Sequence, residues 1–252
     1  KKPSIHIAPA PVWGLYQPDA IATLQHKGRT YLLTANEGAP RNYNGYSDVK
    51  KAGKLALPKN ISKKNRKRLA RLEVSNAITE TGTTDRLYSF GGRSFSIRDS
   101  EGKLVFDSGD QLEREIAARW PEYFNSSHGT TVEMDRRSHK RGPEPETVTV
   151  GTIDDQTYAF IGMEQASVIA IYDVTDPEHP EFCGIHMGRN IEEGKPGAQQ
   201  ASDLGPESLV FISAENAPDG KPLLAVAYEV SGTTTLYEIG TEENSTPVQV
   251  PQ

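Results

Sequence analysis

The sequence has a single cysteine, Cys183, among its 252 residues. One thiol can form neither an intramolecular disulfide nor a multi-cysteine metal cluster, so disulfide scaffolds and zinc fingers are excluded. Long apolar runs are missing too: no stretch approaches the roughly eighteen apolar residues of a membrane helix. The first residues, KKP, also lack the apolar core of a signal peptide. We therefore expect a soluble chain without a transmembrane segment.

Familiar catalytic motifs are absent as well. The sequence contains no GxSxG, no P-loop and no GxGxxG placed between a strand and a helix. The six histidines show neither HExxH nor HxH spacing, so no zinc site is predicted. Basic residues are outnumbered, 28 against 34 acidic residues, giving a net charge of -6. That balance argues against nucleic acid as a partner.

The chain is rich in turn-forming residues and contains an internal repeat. It has 22 glycines and 17 prolines, with short apolar runs between them, as is typical of an all-β protein. Three segments repeat one pattern, in which an acid after proline is followed by two apolar runs and a glutamate 18, 18 and 22 residues later. The acids of the three segments are Asp19 and Glu37, Glu146 and Glu164, and Glu207 and Glu229.

A third apolar run follows in each copy, at residues 94–99, 168–173 and 234–239, and a fourth follows in the first two, at 103–107 and 181–185. Four antiparallel strands joined by turns are typical of a propeller blade. A β-sandwich of short hairpins is the alternative, but it gives no reason for the pattern to return three times. We predict an all-β fold, a β-propeller of about three blades in this chain, with a long, partly helical insertion.

These patterns divide the chain into a partial propeller at residues 1–240 and a polar tail or linker at 241–252. The blades are expected at about 14–110, 143–188 and 204–240, with insertions at 39–87 and 108–142. Helices are expected around residues 59–72 and after Asp110, where Leu112, Ile116 and Trp120 have helical spacing and should pack on a blade. Residues 4–7 (SIHI) are expected to form the outer strand of a preceding blade.

Three blades do not complete a ring, because propellers typically have four to eight. We therefore expect the remaining blades to come from upstream sequence or from a second chain.

The six repeated acids should meet on one rim. Antiparallel pairing places the start of the first strand beside the end of the second. Converging carboxylates repel, and calcium accepts six to eight oxygen ligands without strict geometry. The sequence thus predicts a calcium site at Asp19, Glu37, Glu146, Glu164, Glu207 and Glu229. Two alternatives stay open: backbone amides and arginines satisfy the acids, or the acids serve in acid-base catalysis.

Basic residues near the rim are candidates for ligand contact, namely Arg41, Arg93, His139 and Arg141. Positive charge beside an acidic rim suits a phosphorylated or sulfated ligand bridged through a cation, and it equally suits charge neutralisation. A second basic stretch, residues 59–71, could bind a polyanion or form a solvated helix face.

Eight motifs occur in one order along the chain: YQPDAIA at 16–22, TANEG at 34–38, GRSFSI at 92–97, KLVFDSG at 103–109, GPEPE at 142–146, TYAFIG at 157–162, YDVTDP at 172–177 and GKPLL at 220–224. Through these motifs, the chain from about Gly14 to Ile239 resembles the C-terminal half of the choice-of-anchor I domain. The resemblance implies a secreted or surface-anchored propeller, and some family members carry an alkaline-phosphatase label. The chain departs from the family at 39–40 and 137–141, where acidic residues are usual.

The leading functional interpretation is a secreted or surface-displayed binding or structural module with calcium at the channel mouth. It would be extracellular, periplasmic or on the cell surface, and its partners would be the remaining blades and an anionic ligand or surface polymer. One alternative is a metal-dependent phosphoesterase, in which channel carboxylates hold calcium that orients a phosphate. Another is a subunit of a larger extracellular assembly. Whether the chain is an enzyme is left open.

Overall fold

The computed structural model describes residues 3–57, 59–79, 86–129, 132–189 and 203–240. Its strands, in chain order, are β1 (Trp13–Leu15), β2 (Ala20–His26), β3 (Arg29–Ala35), β4 (Asn42–Tyr43), β5 (Tyr46–Ser47), β6 (Val49–Lys51), β7 (Glu73–Ser75), β8 (Tyr88–Phe90), β9 (Phe95–Asp99), β10 (Leu104–Asp107), β11 (Pro145–Ile153), β12 (Gln156–Met163), β13 (Val168–Asp173), β14 (Glu181–Met187), β15 (Pro206–Ile212), β16 (Leu223–Tyr228) and β17 (Thr233–Glu238). The helices are α1 (Lys63–Leu69), α2 (Asn76–Thr79) and α3 (Gln111–Arg119), with short 3-10 helices at Ala52–Lys54, Pro121–Tyr123 and Ala214–Asn216.

Three antiparallel sheets correspond to the three repeated units. Their strand orders are β2–β3–β9–β10, β11–β12–β13–β14 and β15–β16–β17. The prediction of four-stranded antiparallel sheets is confirmed for the first two, and the third has three strands in the described part of the chain. None of these sheets closes into a barrel there, because the first and last strands of each remain unpaired with one another.

The first strands of the three sheets lie side by side, with β11 between β2 and β15. The middle sheet is therefore covered on both faces, which explains the nearly continuous burial of β12 and β13. Strand β17, at the end of the third sheet, is largely exposed, and exposed and half-buried residues alternate along most of it. Gly151 in β11 permits close packing, since a Cβ there would lie 2.2 Å from the Phe211 ring of β15.

Helix α3 begins after Asp110, as the sequence predicts. Leu112 and Ile116 are fully buried in the main core with residues of the first two sheets, and Trp120 packs against the same core. The side chain of Asp110 makes no cap hydrogen bond and instead pairs with Arg114 at 2.8 Å. The helix is thus held by its apolar face rather than by its cap.

Residues 39–87 are only partly as expected. Helix α1 confirms the helical part, with Ser62 as its N-cap accepting a hydrogen bond from the amide of Asn65 at 3.2 Å. The segment also contributes β6 and β7 to a second kind of sheet, ordered β1–β8–β7–β6. The sequence did not predict this sheet because its strands are only three residues long.

The strand predicted at residues 4–7 is wrong, since these residues form none. The segment lies against α1 instead. There the guanidinium of Arg68 donates to the carbonyl of Pro9 at 2.9 Å and lies 3.5 Å from the His6 ring. Within the described ranges, no helix combines the length and apolar character needed to cross a membrane.

Candidate functional site

The same backbone turn precedes the first acid of each of the three sheets. Two residues before that acid the backbone is left-handed, with φ of 42° at Gln17, 55° at Glu144 and 72° at Gly205. This conformation is uncommon for residues other than glycine. The carbonyl of each residue accepts an amide hydrogen from just after the second strand of its sheet, at 3.0, 2.9 and 2.9 Å. The turn therefore ties together the two backbone segments that carry the acids.

Two of the first acids also lie in β-bulges. The register between β11 and β12 shifts at Glu146, and that between β15 and β16 shifts at Glu207. A bulge leaves one residue out of the ladder and redirects its side chain. The bulges explain how side chains near the start of a strand turn toward the neighbouring sheets.

The structure brings the predicted acids together in three overlapping groups, one of which joins Glu37 and Glu164 to Glu144. Carboxylate oxygens of Asp19, Glu37 and Glu146 lie within 4.8 Å of one another, and we call these residues the acid cluster. Ligand atoms of His128, Glu164 and Glu229 also lie within 4.8 Å of one another, and we call these the histidine cluster. The remaining predicted acid, Glu207, is exposed, and burial and the charge of Glu229 raise its pKa.

Glu146 has the most unfavourable surroundings in the acid cluster. It is 8 % exposed, and among the described residues its Oε2 has no hydrogen-bond partner. Burial, followed by the charges of Glu37 and Asp19, raises the pKa of Glu146 to about 9. Burial also raises the pKa of Glu37, although Arg141 opposes the shift. The cluster therefore favours either a bound proton or a bound cation.

Glu144, two residues before Glu146, is compensated. Its side chain is completely buried and pairs with Arg137 and, at 2.8 Å, with Nη2 of Arg141. Arg141 also pairs with Glu37. Burial lowers the pKa of Arg137 to about 10, which leaves it charged near neutral pH. One buried carboxylate thus receives two guanidinium groups, while its neighbour Glu146 receives none from the residues that the structure describes.

Arg93 holds the loop that delivers these arginines. Its Nη2 donates to the carbonyls of Ser138 and Lys140 at 2.8 and 2.9 Å, and its Nη1 pairs with Glu113 at 3.1 Å. Asn125 donates to the same carboxylate at 2.6 Å and to the hydroxyl of Ser138 at 3.0 Å. The sequence predicted that Arg93 contacts a ligand; in the structure its guanidinium holds the loop at Ser138 and Lys140.

The other predicted ligand contacts lie in different places. Arg141 contacts the acids, as described above. Arg41 pairs with Asp48 at 3.4 Å and hydrogen-bonds Tyr46 of the β4–β5 hairpin. The His139 ring lies 3.4 Å from the guanidinium of Arg71. These contacts do not bring Arg41 or His139 into the acid cluster.

Three residues of this region were missed from the sequence, namely Arg137, Glu144 and His128. Glu144 lies within the GPEPE motif, and its alternation with Glu146 was a usable signal. His128 offered none, because it is distant in sequence from Glu164 and Glu229 and is brought to them by a loop that Arg189 holds.

Comparison of the sequence with known proteins identifies the family of the chain. The sequence model of the choice-of-anchor I domain matches residues 1–177. The chain belongs to the choice-of-anchor I family. The GKPLL motif at residues 220–224 lies outside that match.

Two curated proteins resemble the chain. It is 30% identical over 191 residues to Gigasin-3a of Magallana gigas, an alignment covering 71% of this chain and 67% of that protein. It is 32% identical over 103 residues to mesenchyme-specific cell surface glycoprotein of Strongylocentrotus purpuratus, covering 36% of this chain and 13% of that protein. The alignments thus span about two thirds of the first relative and a small part of the second.

Proposed function

We propose that the chain is part of a secreted or surface-displayed β-propeller that acts as a binding or structural module and holds calcium at the acid cluster. The name of the sea-urchin relative, a cell surface glycoprotein, and the family description support an extracellular, periplasmic or cell-surface location. Under this proposal, the sheets form a rigid scaffold that holds the cation, and the long insertions form the surfaces that recognise a partner.

The propeller part of the proposal is supported by how the sheets stack. Their first strands adjoin in the order β2, β11, β15, as the inner strands of successive blades would. Each sheet repeats the same left-handed turn before its first acid. Because a propeller needs four or more blades, the proposal includes further blades, from the same polypeptide or from a second chain.

The calcium part is carried by one observation: the buried carboxylate of Glu146 lies beside two further carboxylates, and among the described residues it has neither an ion pair nor a hydrogen bond to its Oε2. Asp19, Glu37 and Glu146 offer oxygen donors alone, which suits a hard cation such as calcium. Three carboxylates can provide part of its six to eight ligands, and water or a bound ligand would supply the rest. Calcium would supply the positive charge that the neighbouring arginines give to Glu144.

The arginine contacts favour a binding module over a phosphoesterase. Arg137 and Arg141 are engaged by Glu144 and Glu37, so a phosphate would have to compete with two buried carboxylates for them. An anionic ligand or surface polymer would instead reach the site through the cation itself. A role as a subunit of a larger extracellular assembly is compatible with the same scaffold.

Calcium binding can be measured directly by isothermal titration calorimetry on the full chain. Wild type should bind calcium, and Glu146→Gln should lose at least about tenfold in affinity, because a direct ligand charge is removed. Glu101→Gln, a change at an exposed turn residue, is the control and should leave the affinity unchanged. Absence of calcium binding, or equal loss in both variants, would contradict the proposal.

A further inference from the structure

The histidine cluster differs from the acid cluster in its donors. His128 lies in a loop after the second 3-10 helix, Glu164 follows β12 and Glu229 follows β16. The cluster therefore joins one loop to the ends of two sheets. Nδ1 of His128 lies 2.9 Å from Oε1 of Glu164, and against the opposing effect of burial this contact lowers the pKa of the Glu164 carboxyl.

A buried arginine fixes the loop that carries His128. Arg189 is only 6 % exposed, and its guanidinium donates to the carbonyl of Ser127 at 2.8 Å and to that of Gly129 at 3.1 Å. These two carbonyls flank His128 on both sides. The guanidinium also lies 5.7 Å from the centre of the Tyr123 ring. The backbone on both sides of His128 is therefore held by a buried contact.

Gln165 links the two halves of the cluster. Its Nε2 donates to Oε1 of Glu164 at 2.8 Å, and its Oε1 accepts from the backbone amide of His128 at 3.4 Å. Gln165 is itself only 4 % exposed. Outer contacts of this kind hold metal ligands in position in known metal sites. Glu229 is exposed, which leaves an open side from which an ion can enter.

We propose that His128, Glu164 and Glu229 form a site for a divalent transition-metal ion such as zinc. An imidazole nitrogen with two carboxylates is a donor set that zinc accepts, whereas calcium prefers oxygen ligands alone. Three protein ligands leave a coordination position for water or a ligand atom. The proposal differs from the calcium proposal in its donors, because the acid cluster contains no nitrogen donor, although carboxylate oxygens of Glu164 and Glu37 lie within 4.8 Å of each other.

The test is calorimetric titration of the full chain with zinc chloride in the absence and presence of calcium. His128→Gln and Glu229→Gln should each lower the zinc affinity at least about tenfold, and Gln165→Ala should lower it by about tenfold through misplacement of Glu164. Circular dichroism would check that each variant is folded. The matched control is His179→Gln, since His179 also lies beside a carboxylate, Asp176, at 3.2 Å but on an exposed turn.

The two metal proposals can fail independently. Glu146→Gln should weaken calcium binding and leave zinc binding in place, while His128→Gln should do the reverse. The zinc site is overturned if wild type binds no zinc, if His179→Gln weakens binding as much as His128→Gln, or if calcium displaces zinc at comparable concentration.

Discussion

Glu144 and Glu146 are two buried carboxylates separated by one proline, yet their surroundings are opposite. Glu144 has no exposed surface and is paired with Arg137 and Arg141. Glu146 is 8 % exposed and faces Glu37 and Asp19, and it has no guanidinium partner in the part of the chain that the structure describes. Both carboxylates include oxygens without a well-aligned hydrogen bond there, so the two residues differ in the charges that face them. The same acid type in the same motif is thus structural at one position and available to a cation at the other. Burial alone does not decide the role of an acid here; the charges that face it do.

The substitution Arg141→Met tests how much the ion pairs of Glu144 stabilise the fold. The change removes the partner of Glu37 and one of the two partners of Glu144, and loss of one member of a buried ion pair typically costs about 3–5 kcal/mol. Urea unfolding would measure the free energy of unfolding. Arg114→Met, which breaks the exposed pair with Asp110, should have little effect. Equal effects of the two substitutions would mean that the pairs of Arg141 do not stabilise the fold.

The raised pKa of Glu146 should make the stability of the protein depend on pH. In chelator, the raised pKa of Glu146 means that the folded state keeps a proton that the unfolded chain releases. Between the ordinary carboxyl pKa and about 9, the free energy of unfolding of wild type should therefore fall as pH rises. Glu146→Gln should reduce this decline, while Glu37 and Glu207 keep a part of it, and the variant should gain about 1–2 kcal/mol relative to wild type at the upper end, after allowance for screening.

This pH effect would be measured by urea unfolding at several pH values in chelator. Glu101→Gln should keep the wild-type decline, because Glu101 is exposed. A parallel decline in wild type and Glu146→Gln would show that Glu146 does not carry the raised pKa.

The smallest expected effect is at Glu207, which lies in the equivalent bulge of the third sheet but is exposed. Glu207→Gln should weaken calcium binding by less than about fivefold, since an exposed charge contributes at most about 1 kcal/mol. Calorimetry beside Glu146→Gln would rank the two positions. A larger loss at Glu207 than at Glu146 would shift the calcium site toward the third sheet.

Much of this arrangement could be predicted from the sequence because it follows from local patterns. The repeated acid positions, the strands and α3 are set by apolar periodicity and turn residues, which act over short distances. The partners of Glu144 were not predictable in this way, since Arg137 and Arg141 reach it through a loop held by Arg93. His128 likewise meets Glu164 through a loop, which Arg189 holds.

Errors of the sequence prediction have related causes. Residues 4–7 alternate like a strand, but pattern alone does not provide a partner, and the segment lies along α1 instead. The sheet of β1, β6, β7 and β8 was missed because three-residue strands carry too little periodicity to detect.

The central claim is that no described side chain gives Glu146 a positive partner and that calcium provides one. Thermal unfolding of wild type and Glu146→Gln across a calcium titration from chelator tests this most directly. A ligand that binds only the folded state stabilises it by about 2.7 kcal/mol at one hundred times its Kd. The melting temperature of wild type should therefore rise with calcium while that of Glu146→Gln changes little. An unchanged wild-type melting temperature, or an equal rise in both proteins, would contradict the account.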